Sequence, residues 1–301
     1  MNFLRSIPFS SRYYFFKFIF IFLWFQMDLC ALGPILNTNN KIVLYYCYYE
    51  RDEQCKENLN FFLKHGILDH VDYFFVINGK CSVTIPDKKN LLVLQRENRG
   101  YDFGGYAYLL QKFDLSCYDY HFFCNTSVRG PFLPPNTPYK NWTEPFLELF
   151  NRDVKLVGTT INVLSGKYFN LLNEKYLHVE RKAIPSIQSM FFAIDKECFE
   201  FLNKKNFFDL DKICQLSFEE IVAYNEVNLS ILVLQNGWNI NCIASKYQGK
   251  DYRLIDADFN PTSLSGDPIF PGAYFGTTLH PYDVIFFKTN RLAIPQDLLT
   301  Y

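Results

Sequence analysis

The sequence predicts an α/β fold in which a mixed, mainly parallel sheet carries helices on both faces. From residue 39 onward, β-rich apolar runs alternate with helix-like segments, an order typical of such a sheet. The 301 residues, 49% of them apolar, are enough for one large globular unit or two closely fused ones. Three polar or glycine-rich segments fall at the ends of predicted strands, where sheets of this kind bind ligands.

Each element is predicted from the spacing of its apolar residues. Strands are predicted over 41–49, 71–77, 91–95, 120–124, 154–161 and 189–194, and helices over 53–65, 105–113, 145–150 and 196–202. The first helix is expected to end at Gly66. Another is expected to begin at Glu226 and to end at Gly237-Trp238. Because free N–H groups and the helix dipole favour an acid at a helix start, Glu226 could also be a plain cap.

The charge balance excludes a nucleic-acid-binding surface. The net charge is −1, and lysine and arginine are scattered along the chain rather than clustered. Aromatic residues make up 19% of the chain. This content predicts an aromatic-rich core, and surfaces that stack on sugars are the alternative.

Residues 1–38 are predicted to be a targeting segment. Arg5, Arg12 and Lys17 precede the apolar run 18–25. Positive charge on the short side of an uncleaved signal anchor would give a single-pass type II membrane protein with its large domain in an ER- or Golgi-type lumen. A signal cleaved near Cys30-Ala31-Leu32-Gly33, which would release a lumenal or secreted protein, and an interfacial or buried helix are the alternatives.

The cysteines give no sign of a zinc or thioredoxin-type site. There are nine, and no pair has the Cys-x-x-Cys spacing. Cys47, Cys124 and Cys242 lie in apolar runs, where a buried free thiol is expected. Cys47 and Cys55 could form a disulfide in an oxidising lumen.

The first polar segment follows the strand predicted over 91–95. Asn98 and Asp102 could hydrogen-bond a base or ribose, and Arg99 could contact phosphate. The glycines of this segment, at 100, 104 and 105, would let a ligand approach the backbone, and the helix that follows could hold negative charge at its N-terminus. An ordinary glycine-rich turn is the alternative interpretation.

Two further polar segments flank buried strands. Asn125-Thr126-Ser127 ends the strand predicted over 120–124, and Gln188-Ser189 enters the strand predicted over 189–194. Polar side chains at such positions often line a site, although they also simply begin loops.

The order of these segments resembles that of a known enzyme family. It runs from Asn98-x-Gly100 and Gly104-Gly105, through Phe122-Phe123-Cys124-Asn125-Thr126-Ser127-Val128-x-x-Pro131, to Ser189, Phe199-Glu200, Glu226 and Gly237-Trp238. The chain resembles an inverting glycosyltransferase of the GT-A (Rossmann-like) fold, from glycosyltransferase family two, and in particular its rhamnosyltransferase-like, rhamnan-synthesis members. The resemblance covers about residues 41–250 and rests on the ordered set of motifs.

The resemblance implies a single catalytic domain over 39–301. Its nucleotide-sugar half would span about 39–135, its acceptor half about 136–250, and a C-terminal extension 251–301. The partners implied are a nucleotide-sugar donor, a glycan or glycoconjugate acceptor, and the membrane through the N-terminal segment. The activity implied is a hexosyltransferase, transferring the sugar with inversion.

The resemblance also implies a role for each site residue. Glu226 stands where the family places its general base, usually an aspartate. The donor or nucleotide side would comprise Asn98, Arg99, Gly100, Asp102, Asn125, Thr126 and Ser127, and the acceptor or diphosphate side Arg129, Gln188, Ser189 and His280.

The metal requirement stays open at this stage. Thr126 stands where the family has its metal-binding aspartate, and a hydroxyl is a poor sole ligand for Mn²⁺ or Mg²⁺. Either Asp102 holds the metal, or cations stabilise the leaving diphosphate, with weak or absent metal dependence favoured. The candidate cations are Arg99, Arg129, His280, Lys288 and Arg291.

Two other classes of function are considered beside the enzyme. One is a catalytically silent nucleotide-sugar- or glycan-binding protein, or a partner subunit, suggested by Thr126. The other is a membrane-anchored structural protein, which would bind no nucleotide. An acid retained at Glu226 favours the enzyme.

Overall fold

The apolar runs form a seven-stranded central sheet in the computed structural model, which describes residues 41–295 and Leu298. In pairing order the strands are Asn239–Cys242 (β10), Val154–Gly158 (β6), Phe191–Asp195 (β9), Tyr120–Asn125 (β4), Ile42–Tyr48 (β1), Val71–Asn78 (β2) and Leu91–Arg96 (β3). Within this sheet only β9 runs antiparallel to its neighbours. Two small ribbons accompany it, formed by Phe287–Lys288 (β11) with Val128–Arg129 (β5) and by Ile161–Leu164 (β7) with Ile184–Ile187 (β8).

The helices lie between and after these strands. The α-helices are Glu53–His65 (α1), Tyr101–Lys112 (α2), Glu144–Leu147 (α3), Gly166–Leu172 (α4), Lys196–Lys204 (α5), Leu210–Ile213 (α6), Phe218–Ile221 (α7), Asn228–Gln235 (α8) and Pro281–Val284 (α9). Asn173–Leu177 and Val222–Val227 are π-helical, and Ser245–Tyr247 is a 3₁₀ turn.

Helices cover both faces of the sheet, as predicted. Successive side chains of a strand point to opposite faces. On one face, the Tyr46 ring lies 5.1 Å from that of Phe62 in α1. On the other, α2 packs so closely that a Cβ on Gly105 would lie 2.3 Å from Cys47 Sγ. The predicted mixed, mainly parallel α/β sheet is therefore confirmed.

The aromatic residues fill the core between the sheet and α1. Trp142 is buried against Phe122 and Phe286, with ring centroids 5.3 Å away in each case. Its indole N–H donates to the carbonyl of Gly66, the residue that ends α1. Aromatic content thus contributes mainly to packing in this part of the protein.

The helix that carries Glu226 begins earlier than predicted. Ser217 and Glu220 form a reciprocal capping box at its start, so α7 begins at Phe218 and leads directly into the π-helical segment. The Ser-x-x-Glu spacing of this capping box is a local signal of a helix start. Glu226 lies inside the helical segment, and the prediction that it opens or caps the helix is wrong.

Two other boundaries and one disulfide also differ from the predictions. The helix predicted from 105 begins at Tyr101, after Gly100 takes a left-handed φ of 73°. The strand predicted over 154–161 is two strands, β6 and the start of β7. Cys47 and Cys55 are both free thiols, so the disulfide considered between them is not present.

The predicted targeting segment at 1–38 lies outside the described residues. Within 41–295, no helix is long and apolar enough to cross a membrane.

Candidate functional site

Polar side chains from several strands meet at one edge of the sheet. The parallel strands β2 and β4 end there at Asn78 and Asn125. Because β9 is antiparallel, its beginning lies at the same edge, and the Asn125 N–H donates to the Met190 carbonyl at 3.1 Å. This pairing brings Gln188-Ser189, which precede β9, next to the polar residues that follow β4.

Asp102 and Asn125 form the first pair at this edge. Asn125 Nδ2 donates to Asp102 Oδ2 at 2.8 Å, and the Phe103 N–H donates to Asp102 Oδ1 at 3.0 Å. The Asn125 Oδ1 accepts from Ser127 N–H and Oγ–H. Burial raises the pKa of Asp102, opposed by the Asn125 hydrogen bond. These contacts hold the carboxylate in one orientation.

Glu226 reaches the same edge of the sheet from its π-helical turn, and the space bordered by Asp102, Asn125, Ser189 and Glu226 is called the cleft. Ser189 Oγ donates to Glu226 Oε2 at 2.8 Å, the only hydrogen bond that the described residues make to this carboxylate. Burial raises the pKa of Glu226 most. Lys288 and Ser189 lower it, and the charges of Asp102 and Asp267 raise it. π-helical turns inside longer helices are frequent at functional sites.

Lys288 is the cation that the structure brings to these carboxylates. Its strand, β11, pairs with β5 immediately after Ser127, and the Thr289 N–H donates to the Ser127 carbonyl at 3.1 Å. The positive charge of Lys288 lowers the pKa of both Asp102 and Glu226. In the sequence Lys288 is one of several candidate cations, because nothing local links residue 288 to a strand that ends at 125.

Gln188 and Asp267 support the side of the cleft next to Ser189. Gln188 Nε2 donates to Asn162 Oδ1 at 2.5 Å and to Asp267 Oδ1 at 3.0 Å. Gln188 is buried, and its Oε1 has no partner among the described residues. Asp267 was missed in the sequence, where it stands in a loop segment without a recognisable motif.

A polar cavity of about 210 Å³ opens beside the Asp102–Asn125 pair. Four of the predicted donor-side residues line it: Asn98, Asp102, Asn125 and Thr126. Further lining residues, among them Arg51, Asn78, Tyr101 and Phe218, were not predicted from the sequence. Tyr101 offers a ring and Asn98 an amide, which can stack on and hydrogen-bond a base or ribose, whereas the Asn78 amide already donates to the Tyr101 carbonyl at 3.0 Å.

The glycines of the first segment and Thr126 serve packing. Cβ atoms on Gly104 and Gly105 would lie 2.2 Å from the Arg99 carbonyl and 2.3 Å from Cys47 Sγ. Thr126 Oγ1 accepts from the Tyr49 N–H at 2.8 Å and donates to the Cys47 carbonyl at 3.2 Å. The glycines were predicted to let a ligand approach the backbone closely. At Gly104 and Gly105 this space is taken by other atoms of the protein.

Arg129 and His280 are not brought to the cleft. The Arg129 guanidinium is buried and donates to Glu57 at 2.6 Å and to Asn58 at 2.9 Å. His280 Nδ1 accepts the Tyr282 N–H and caps α9. The structure gives both side chains structural contacts, and their assignment to the acceptor or diphosphate side stays a prediction.

The other two candidate cations make no hydrogen bond or ion pair with Asp102 or Glu226 among the described residues. Arg99 is exposed, and the Arg291 guanidinium lies over the Phe270 ring at 4.6 Å.

The donor set around Asp102 does not fit a divalent cation held by the protein alone. Both Asp102 oxygens already accept hydrogen bonds, and the Thr126 hydroxyl is bonded on both sides. Among residues 41–295, no group of three or more His, Cys, Asp or Glu side chains could hold a metal ion. Mn²⁺ and Mg²⁺ prefer several oxygen ligands, with carboxylates prominent among them.

Comparison with known proteins finds weak likeness in structure and none in sequence. No protein-family model matches the chain, and no curated protein matches it. The mannosyltransferase PcManGT from Pyrobaculum calidifontis, in complex with GDP-Man and Mn²⁺, overlaps at a TM-score of 0.40 and 11% identity, over 70% of this chain and 57% of that one.

Two other solved structures overlap to a similar extent. The bifunctional glycosyltransferase WbbM gives a TM-score of 0.37 and 10% identity, over 65% of this chain and 39% of that one. The glycosyltransferase GlyE from Streptococcus pneumoniae TIGR4 gives 0.36 and 10%, over 70% and 47%. The chain spans 39–57% of the length of these three structures. Overlaps this partial assign no activity to it.

Proposed function

We propose that this chain is a glycosyltransferase of GT-A type, which moves a sugar from a nucleotide-diphosphate donor to an acceptor hydroxyl with inversion. The observation that carries the proposal is the position of Glu226. This half-buried carboxylate has a pKa that desolvation raises and the charge of Lys288 lowers, and it lies at the sheet edge that also holds the polar cavity. A perturbed acid in a cleft is a candidate general base.

Glu226 would act as that base in a single displacement. Its carboxylate takes the proton of the acceptor hydroxyl, and the oxygen forms a bond to C1 of the donor sugar. The bond from C1 to the phosphate oxygen breaks, and its electron pair stays on the diphosphate. Lys288 would neutralise the charge that develops there. Ser189 is then a positioning residue, which holds Glu226 through a 2.8 Å hydrogen bond.

The polar cavity would hold the nucleotide part of the donor. Asn98 and Tyr101 would contact the base, and Asp102, held by Asn125, the ribose. On this basis residues 39–135 would form the nucleotide-sugar half and residues 136–250 the acceptor half. The donor sugar follows from the resemblance alone, which favours rhamnose.

A silent nucleotide-sugar-binding protein is the second candidate. It is favoured by Thr126, whose hydroxyl is fully used by backbone contacts where a metal ligand would otherwise be expected. A panel of nucleotide sugars, including dTDP-rhamnose, GDP-mannose and UDP-hexoses, separates the two. An enzyme hydrolyses at least one donor slowly, whereas a silent binder is stabilised thermally by nucleotide diphosphates without turnover.

Removal of metal is expected to leave most of the activity. If Lys288 neutralises the leaving diphosphate, EDTA should reduce turnover by less than about twofold, a loss of about 0.4 kcal/mol of transition-state stabilisation. The measurement is donor hydrolysis in EDTA, without addition, and with manganese. If EDTA abolishes the activity and manganese restores it, a mechanism with weak or absent metal dependence is contradicted. The proposed transferase activity itself would still stand.

The pH profile is expected to depend on Ser189. Glu226 must be deprotonated to act as a base, so activity should be present above its pKa and lost as the pH falls below it. The Ser189 hydrogen bond lowers the pKa of Glu226, so Ser189→Ala should move the acid limb of kcat/KM to higher pH. An unchanged limb, with only the maximum lowered, would indicate that Ser189 has a purely structural role.

A membrane anchor is proposed for residues 1–38. The full-length protein should then remain with membranes after carbonate extraction, and a chain starting near Asn37 should be soluble and should bind nucleotide. Full-length protein recovered in the soluble fraction, still carrying Met1, would refute the anchor.

A further inference from the structure

An open groove of about 650 Å³ lies next to the cleft that holds Glu226. One wall is α4 with its π-helical continuation, and the other is the start of the helical segment that begins at α7. Most of the lining is apolar or aromatic: Tyr168, Leu171, Leu172, Tyr176, Phe218 and Val222. None of the residues assigned to the donor or to catalysis lines this groove.

Several large apolar side chains that line the groove are exposed to solvent. Leu171 is 57% exposed, Phe218 61% and Tyr168 49%. Single exposed apolar residues are ordinary, but a contiguous set that lines a concave surface marks a binding site.

The groove is continuous with the proposed site. Phe218 lines both the groove and the polar cavity, and its ring packs edge-on against Tyr101 at 5.4 Å. Val222 lines the groove and lies about one turn before Glu226 in the same π-helical segment. Burial and, after it, the charge of Glu226 raise the pKa of the Tyr168 phenol at the other wall. A molecule in the groove can therefore present a hydroxyl to Glu226.

Two of the charged groups that line the groove, Lys175 and Glu219, pair with each other at its rim. Glu219 accepts a 3.2 Å contact from Lys175 Nζ and a 3.0 Å hydrogen bond from the Tyr176 hydroxyl. Glu174 also lines the groove, but it is exposed. The aliphatic side chains of the groove offer no hydrogen bonds, so hydroxyls of a polar occupant placed against them would stay unpaired.

Stacking of a sugar ring is disfavoured at the far end. Lys175 Nζ lies 4.7 Å from the centroid of the Tyr176 ring, and Tyr224 packs edge-on against the same ring at 5.7 Å. Beside it the lining is aliphatic, from Leu171, Leu172 and Val222. Aliphatic side chains gain most from a hydrocarbon chain, whose burial is favourable in proportion to its area.

We infer that the groove binds the apolar aglycone of an amphipathic acceptor, a sugar joined to a hydrocarbon chain. The acceptor hydroxyl faces Glu226, and the chain lies between Leu171 and Val222. This inference rests on the proposed glycosyl transfer, because it assigns the acceptor class of that same site.

Alkyl glycosides of increasing chain length test the inference. With methyl, butyl, hexyl and octyl glycosides of several sugars, the acceptor KM should fall as the chain grows, by up to about fourfold per methylene until the groove is filled. The kcat should change little, because the chain contributes the same binding in the ground and transition states.

Leu171→Ser is the matched variant, and Leu254→Ser is its control. Both leucines are exposed, Leu254 at 79%, but Leu254 lies outside the groove. Leu171→Ser should flatten the dependence of KM on chain length, and Leu254→Ser should keep it. Donor hydrolysis, measured on both proteins, reports that the fold and the donor site are intact.

The possible failures are distinguishable. Donor hydrolysis together with a KM independent of chain length, or equal slopes in the two variants, would overturn the inference and leave the transferase standing. If the protein neither hydrolyses any donor nor transfers sugar to any acceptor, the proposed function itself is overturned. Dimerisation that Leu171→Ser abolishes in sedimentation would assign the groove to a second copy. A chain-length effect that appears only after removal of residues 1–36 would assign it to the protein's own N-terminal segment, and either result would overturn the inference.

Discussion

The Glu226→Gln protein should transfer sugar about 10² to 10⁴ times more slowly than the natural protein while remaining folded. Glutamine keeps the size of the side chain, and its amide oxygen can still accept the 2.8 Å hydrogen bond from Ser189. What it loses is the ability to take the acceptor proton. The measurement is kcat/KM for transfer at a pH well above the pKa of Glu226.

The thermal stability of the same variant separates catalysis from folding. Burial raises the pKa of Glu226, so the folded protein bears a cost for keeping this group charged at neutral pH. An uncharged amide avoids that cost, and the melting temperature should stay equal or rise. A residue kept only for structure would lower it when changed.

Glu200→Gln provides the matched control for this experiment. Glu200 is an exposed acid on α5, outside the cleft, and the same change there should leave both transfer and melting temperature unaltered. Near-normal transfer by a well-folded Glu226→Gln protein would remove Glu226 as the base.

The fold could be predicted because its signals are local. The strands are runs of buried residues, and β1 and β2 are buried at every position. Helix α1 was predicted with its observed bounds, because an apolar stripe and Gly66 mark it in the sequence. The start of the Glu226 helix was missed although its Ser217–Glu220 capping box was equally local.

The site could be predicted only in part. Asn125 and Ser189 were singled out because each flanks a buried strand, and the sheet brings both to one edge. The contacts of Arg129 could not be predicted from sequence, because its partners Glu57 and Asn58 lie more than 70 positions earlier. Lys288 could not be chosen from among the cations for the same reason, since its position depends on the pairing of β11 with β5.

The Lys288→Met protein should lose turnover by about 10² to 10³, the usual effect of removing one group that stabilises developing negative charge. Of the five cations considered in the sequence, Lys288 is the one whose charge acts on both Asp102 and Glu226. Methionine keeps most of the unbranched stem and the β11 pairing but removes the charge.

The loss should fall on kcat rather than on the acceptor KM, because the charge on the diphosphate develops only in the transition state. Without the positive charge the pKa of Glu226 should also rise, which moves the acid limb of the pH profile upward. Lys204→Met on the exposed side of α5 is the control and should change neither quantity. If the Lys288→Met protein turns over as fast as the natural protein and EDTA abolishes this turnover, a metal rather than Lys288 neutralises the leaving group. If Lys288→Met raises only the acceptor KM, Lys288 belongs to the acceptor side of the cleft.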